Sequence, residues 1–185
     1  MKTIHLFILF VLVALIQLFV PAQMIFNQEN TLEEGTAYKF RTQPIDPTDP
    51  FRGKYITLRY DINAYPTTDS IWEPQQDIFV YLKTDSLGFA KIDQVRKIPL
   101  EAETEYIIAK VNVYDKYQDV LRIHLPFDRF YMKETKAKDA EIAHRKAQRD
   151  SLPNNTYALV FVKDGASVLE NVFINDIPIS AYVEK

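Results

Sequence analysis

The chain contains no cysteine, which excludes disulfide staples, thiolate nucleophiles, iron–sulfur ligation and cysteine-based zinc sites. Its stability must come from packing and from proline-stiffened turns. Glycine and histidine are also scarce, at four and three residues, too few for phosphate-cradling loops or a histidine-rich metal centre. Cationic surplus is absent as well. Lys and Arg total 22 against 25 Asp and Glu, a formal net charge of -3, so nothing holds a nucleic-acid backbone. No nucleic-acid partner, no metal and no cofactor are expected. What the chain does have is apolar and aromatic material, 47% and 13% of 185 residues, enough to fill the core of one domain.

That apolar material is unevenly placed. From Ile4 to Val20 fifteen of seventeen residues are apolar, and the run continues through Pro21, Ala22, Met24, Ile25 and Phe26. A hydrocarbon layer of roughly 30 Å needs about 20 helical residues, so Ile4 to Phe26 spans it with some tilt. A cleaved signal peptide is the competing reading, because Val20-Pro21-Ala22 presents small residues of the kind a signal peptidase cuts beside. Length favours the anchor. Lys2 precedes the run, whereas Glu29, Glu33 and Glu34 follow it. The cation bias therefore places the N-terminus in the cytoplasm and the rest of the chain outside, in the periplasm if the cell is Gram-negative. The expected division is a transmembrane anchor over residues 1–28 and a folded domain over 29–185. Near-neutral charge argues against strong electrostatic adhesion of that domain to an anionic lipid surface, so the helix holds the protein to the membrane.

Beyond the anchor, the hydrophobic pattern repeats every two residues rather than every 3.6. Tyr38, Phe40 and Thr42 share one face of a first strand, and Ile56, Leu58, Tyr60 and Ile62 oppose Tyr55, Thr57 and Arg59 in a second. Further strands are expected over residues 78–83, 89–98, 105–114, 120–125, 157–163 and 168–174. Short, aromatic and β-branched segments separated by turn residues predict a mainly β (α+β) fold, an antiparallel β domain following the N-terminal helix. Gly35 should close the post-membrane helix, and Gly88 and Gly165 should sit in hairpin loops.

One stretch departs from this pattern. Lys133 to Asp150 holds six cations and four anions, with Ala137, Ala140, Ala143 and Ala147 at helical spacing, and predicts an exposed helix lying on the sheet surface. A weak echo also runs through the chain. Val80-Tyr81-Leu82-Lys83, ending at Ile98-Pro99, is repeated as Val160-Phe161-Val162-Lys163, ending at Ile177-Pro178. It fits two related halves of one domain, or the chance likeness of any two amphipathic hairpins.

The densest local signal is Pro44-Ile45-Asp46-Pro47-Thr48-Asp49-Pro50-Phe51-Arg52-Gly53-Lys54-Tyr55-Ile56-Thr57-Leu58-Arg59-Tyr60. Its prolines and Asp-Pro pairs build a stiff corner that releases into a strand. On these residues the chain resembles the GDYXXLXY family: Gly53, Tyr55, Leu58 and Tyr60 match the named positions, while Lys54 stands where the acid is expected. That departure counts against a catalytic duty for the missing acid. The resemblance extends to the membrane segment, to Phe127-Asp128-Arg129-Phe130-Tyr131-Met132-Lys133-Glu134 with Glu141 following, and to the closing strands around Gly165. It implies a small, singly anchored protein without an assigned activity, of a kind often encoded beside a multi-spanning membrane protein.

The polar residues inside these motifs are Asp46, Asp49, Arg52, Arg59, Arg129, Glu134 and Glu141. Carboxylates beside arginines can do acid–base work, but Asp-Pro pairs are equally accounted for by Asx-turns locked by Arg52 or Arg129. A signal-peptidase reading of Arg52-Gly53-Lys54-Tyr55 fails, since no serine lies between Pro21 and Arg52 to act as nucleophile. No Gly-x-Ser-x-Gly elbow exists either. Among the aromatics, Trp72 sits in a polar loop with Tyr65-Pro66 and Glu73-Pro74, and is the side chain expected to be exposed for recognition. The expected function is a membrane-anchored extracytoplasmic binding or assembly module for another envelope or multi-spanning membrane protein. The alternative is a hydrolase or small-ligand-binding protein using Asp46, Asp49, Arg129 and Glu134. An enzyme is disfavoured, because no recognisable catalytic constellation is present.

Overall fold

A computed structural model describes residues 3–43, 55–100, 104–131, 139–140, 142–143 and 156–182. The apolar run forms helix α1 (Thr3–Glu34), which carries Pro21 in its interior. At roughly 1.5 Å per residue, its 32 residues extend about 48 Å. Its most apolar stretch has a mean hydropathy of 2.7, and none of that stretch is buried against the rest of the chain. The helix runs past the expected anchor limit at residue 28, as an end at Gly35 requires. It continues through Asn27-Gln28-Glu29-Asn30 to Glu34, and its last turns rest on the sheet: Thr31 is buried and Asn30 and Leu32 are half-buried.

Gly35 then turns the chain directly into β1 (Thr36–Gln43). Its N–H donates to the Thr31 carbonyl at 3.0 Å. A side chain there has no room, since a Cβ would lie 2.3 Å from the Thr31 carbonyl oxygen and 3.0 Å from that of Val162. Both are backbone atoms, which cannot rotate away. The expectation that Gly35 closes the helix holds for a steric reason.

The chain continues as β2 (Tyr55–Thr57), β3 (Arg59–Tyr60), a 3-10 turn (Asp61–Asn63), β4 (Ala64–Pro66), β5 (Asp77–Thr84), β6 (Ala90–Arg96), β7 (Tyr106–Asp115), β8 (Val120–His124), β9 (Arg129–Tyr131), β10 (Thr156–Lys163), β11 (Ala166–Ile174), β12 (Ile177–Pro178) and the short helix α2 (Ile179–Tyr182). One sheet has the order β12-β11-β10-β1-β3, a second β4-β8-β7-β5-β6, and β2 pairs with β9 as a separate ribbon. Every one of these strand pairs is antiparallel.

The two five-stranded sheets share one core. Phe40, Val160, Val162, Val172 and Ile174 come from the first, and Ile78, Val80, Ile107, Val111, Leu121 and Ile123 from the second. Period-two alternation drives this, as in β7, where Ile107, Ala109 and Val111 are buried between exposed neighbours. The sheets also touch through isolated parallel bridges, Lys39 with Phe89 and Ile107 with Gly165. The two hairpins that echo each other in sequence, β5–β6 and β10–β11, lie in different sheets, and each contains one register shift.

Two expectations are adjusted. Tyr65-Pro66 belongs to β4, paired with β8, rather than to a loop. In the charged stretch 133–150, residues 139–140 and 142–143 are helical and the remainder lies outside the described residues. There Ala140 is fully buried in the core and Ala143 packs against it, a closer contact than a solvated surface helix would make.

Gly35→Ala should therefore destabilise the full-length protein in detergent by roughly 1–3 kcal/mol, as overpacked sites do. The same change should expose residues 30–36 to limited proteolysis. Thermal melts and cleavage-site mapping check this; an unchanged melt would show that the junction can relax.

Candidate functional site

Two sequence motifs some 70 residues apart form one structural unit. Tyr55 pairs with Tyr131, Ile56 with Phe130 and Thr57 with Arg129, and the Leu58 N–H donates to the Asp128 carbonyl at 2.7 Å. The side chains divide by face. Ile56, Leu58 and Tyr60 point inward and are almost fully buried. Tyr60 forms an aromatic triangle with Phe40 and Phe127 at centroid distances of 5.9, 5.1 and 5.2 Å, and its hydroxyl donates to the Phe127 carbonyl at 2.8 Å. Burial, reinforced by the Asp128 charge, drives the phenol far above its ordinary pKa, so it remains a donor at any physiological pH. Asn63 completes the clamp by accepting from the Tyr60 N–H at 2.6 Å and donating to the Ile123 carbonyl at 2.8 Å.

The other face looks outward. The Arg129 guanidinium lies over the Tyr55 ring at 5.1 Å, and Tyr55 and Tyr131 are 5.4 Å apart. Tyr131 is 64% exposed. A side-chain hydrogen bond with Tyr131, ahead of the charges around it, holds Arg129 firmly protonated. Asp128 stands 3.9 Å from Arg129 and 4.0 Å from His124.

Thus Tyr55, Leu58, Tyr60, Arg129 and Phe130 come together, Leu58 and Tyr60 inside and Tyr55 and Arg129 at the surface. Asp46, Asp49, Arg52, Gly53, Glu134 and Glu141 lie outside the described residues. Trp72, expected to be exposed, is instead half-buried against the core, with the Lys97 ammonium 5.2 Å from its ring centroid. Its neighbour Ile71 and nearby Ile98 are the exposed groups, at 66% and 76%. Among the described residues no group of three or more His, Asp or Glu could hold a metal ion.

A cavity of about 270 Å³ opens where β1, the 3-10 turn, β4 and β6 meet. Sequence reasoning did not find it. Arg41 reaches it from β1, Asp85 and Phe89 from the β5–β6 loop, and Lys91 from the start of β6. Arg41 donates through Nη2 to Asp85 Oδ2 at 3.3 Å and lies 4.4 Å over the Phe89 ring. Lys91 Nζ is 3.8 Å from the same oxygen. Asp85 Oδ1 accepts from the Leu87 and Phe89 N–H groups at 2.9 Å each; the Phe89 bond foremost, against an opposing burial effect, holds this carboxyl below the usual range. The only sequence sign of this cluster is an aspartate opening a glycine-containing hairpin loop.

At the membrane-proximal end, Glu34 of α1 pairs with Lys163 of β10. Nearby, burial foremost, with the Asp164 charge second, raises the pKa of Glu105 against the opposing pull of the Asp164 backbone, Thr36 and Lys163.

With this geometry established, comparison with known proteins is informative in one respect. The model of the family described as GDYXXLXY protein matches residues 17–172. The chain belongs to the GDYXXLXY family. The match runs from the second half of the apolar helix to β11, so the GDYXXLXY unit includes both the helix–sheet junction and the paired motifs. No curated protein and no solved structure matches the chain.

Two outcomes are expected. Tyr60→Phe deletes the donor to a buried carbonyl and should cost about 1–3 kcal/mol, whereas Leu58→Ala should cost about 2–5 kcal/mol; chemical denaturation of the full-length protein in detergent measures both. For Glu105, the folded-state pKa exceeds the unfolded one, so its contribution favours folding at low pH and is lost as pH rises through the raised value. Glu105→Gln should flatten the fall in melting temperature as pH rises above the ordinary glutamate range; a profile superimposable on that of the parent would exclude Glu105 as its source.

Proposed function

We propose that this protein is a single-pass, membrane-anchored binding or assembly module whose β domain engages another envelope protein, in particular a multi-spanning membrane protein. The observation that carries the reading is α1. Its apolar stretch is left entirely uncovered by the domain, far more contiguous apolar surface than a water-soluble protein tolerates. The same helix is seated on the sheet by Thr31, Gly35 and the Glu34–Lys163 pair. Anchor and domain are therefore one continuous body, which presents a fixed face of the domain to whatever lies beside the helix.

Tyr55, Arg129 and Tyr131 supply surface chemistry suited to that role. Tyrosine and arginine dominate the energetics of protein interfaces, because each offers a large, weakly hydrated contact and a polar tip. Charge distribution supports an outward-facing domain, since Lys2 precedes the apolar run and Glu29, Glu33 and Glu34 follow it.

Two measurements test this. Because the chain has no cysteine, Tyr117→Cys provides a single thiol on a fully exposed turn. A membrane-impermeant maleimide should label it in intact cells or spheroplasts without permeabilisation; labelling only after lysis reverses the orientation. A photo-crosslinker replacing Tyr131 in the anchored protein should capture one dominant membrane protein, and Arg129→Ala should cut its yield severalfold. Capture of only abundant background proteins would overturn the proposed partner.

A further inference from the structure

We propose that α1 pairs within the bilayer with α1 of a second copy of this chain, through the side-chain amide and the main-chain carbonyl of Gln17. The site lies deep. Gln17 stands two positions beyond the midpoint of the apolar run Ile4 to Phe26, about 3 Å along the axis. Its side chain is exposed and bonds to nothing among the described residues. The turns seated on the sheet begin near Asn30, about 20 Å further on, so no group of the domain reaches it. Pro21 frees a second group. Proline has no N–H, and the carbonyl four positions earlier, that of Gln17, therefore loses its helical donor. One position thus presents two acceptor oxygens and an NH2 group where hydrocarbon supplies no partner for any of them.

Stoichiometry decides the occupant. Lipid tails offer no hydrogen bond, and a helix of another protein would have to carry a matching group at this depth. A second copy carries it by construction. Each Gln17 has two N–H bonds and two oxygens, so each amide can donate to the other chain's main-chain oxygen and amide oxygen. Both copies enter the membrane in the same sense, and residue 17 meets residue 17 across a twofold axis along the bilayer normal. The surroundings permit close approach. At about 100° per residue, Phe10, Ala14, Pro21 and Met24 lie within about 60° of Gln17 on one face of α1. Ala14 and Pro21, about one turn to either side of Gln17, keep that face low, as helix pairs in bilayers require. Thr31, buried against the sheet, lies about 40° from Gln17 in the rotational sense opposite to Ala14 and Pro21. Twofold symmetry therefore carries the two domains to opposite flanks of the pair.

The test uses the full-length protein in liposomes at low protein-to-lipid ratio, where the absence of cysteine makes every introduced thiol unique. Under mild oxidation Ala14→Cys, on the Gln17 face, should form an intermolecular disulfide about fivefold or more faster than Leu15→Cys or Phe19→Cys on the opposite face. In the Ala14→Cys background, Gln17→Leu should lower the yield about tenfold. Pro21→Ala returns a helical donor to the carbonyl and should lower it severalfold, whereas Gln17→Asn keeps an amide and should retain most of it. Energy transfer between separately labelled Tyr117→Cys copies should fall with Gln17→Leu, while the melting temperature of the domain stays the same. Equal disulfide rates on the two faces, a yield unaffected by Gln17→Leu, or no energy transfer would each overturn the proposal. So would a photo-crosslinker replacing Ala14 in native membranes that captures a different protein and no second copy. The inference rests on α1 crossing the bilayer, which one-sided labelling of Tyr117→Cys checks independently. None of these variants alters Tyr55, Arg129 or Tyr131, so capture through Tyr131 reports separately on the proposed docking role.

Discussion

A buried phenol must find a hydrogen-bond acceptor, and the position of Tyr60 follows from that constraint. Its hydroxyl reaches the Phe127 carbonyl, while its ring contacts Phe40 of β1. One side chain thereby relates the first sheet, the end of β8 and the β2–β9 ribbon. The register of that ribbon is then determined, since Leu58 is bonded to Asp128 two residues earlier in the chain. A slip by one residue would expose Ile56, Leu58 and Tyr60 and bury Tyr55, Thr57 and Arg59. The outward trio of Tyr55, Arg129 and Tyr131 is thus a consequence of what the inward face must satisfy.

The functional features occupy different places in the fold. The motif ribbon carries exposed tyrosine and arginine, the seam between β1 and β6 carries a cavity, and the base of the domain carries the seat of the helix. Residues of β1 contribute to all three: Thr36 at the base, Phe40 behind the ribbon and Arg41 at the seam. Alternation explains this economy, because successive residues of a strand face opposite sides. Arg41 follows Phe40 immediately, and the two serve the cavity and the core.

Much of the fold was legible because local pattern and burial agree. Phe40 and Thr42 and the alternating residues of β7 announced strands that are present within a residue or two of their expected limits, whereas the one strand expected from Tyr55 to Ile62 is divided into β2, β3 and a 3-10 turn that keep its alternating burial. Three-residue strands were not legible. Nothing local distinguishes Arg129-Phe130-Tyr131 from a turn until Tyr55-Ile56-Thr57 pairs with it, and Tyr65-Pro66 contains the residue that usually argues against a strand, tolerated here at a sheet edge. Trp72 looked exposed because its neighbours are polar, whereas its indole is covered by Lys97, 25 positions along the chain. The cavity was invisible for the same reason: Arg41 and Asp85 are separated by 44 residues, and neither stands in a motif. Of the family-like candidates, those forming the ribbon could be located, and the Asp-Pro corner with Glu134 and Glu141 lies outside the described residues.

The seating of α1 also has a mechanical side. A transmembrane helix longer than the local hydrocarbon thickness accommodates the excess by tilting, and here no flexible linker separates that helix from the first sheet. Gly35 joins them in a single residue, and Glu34 is tied to Lys163 on the next strand over. Tilt is therefore converted into sideways travel of the domain. From the end of the apolar run at Phe26 to Glu34 the helix continues for about 12 Å, and the sheet adds its own height beyond that, so a few degrees at the bilayer become several tenths of an ångström or more at the outer strands. Bilayer thickness, a property of the lipids alone, becomes a determinant of where the outer strands stand above the membrane.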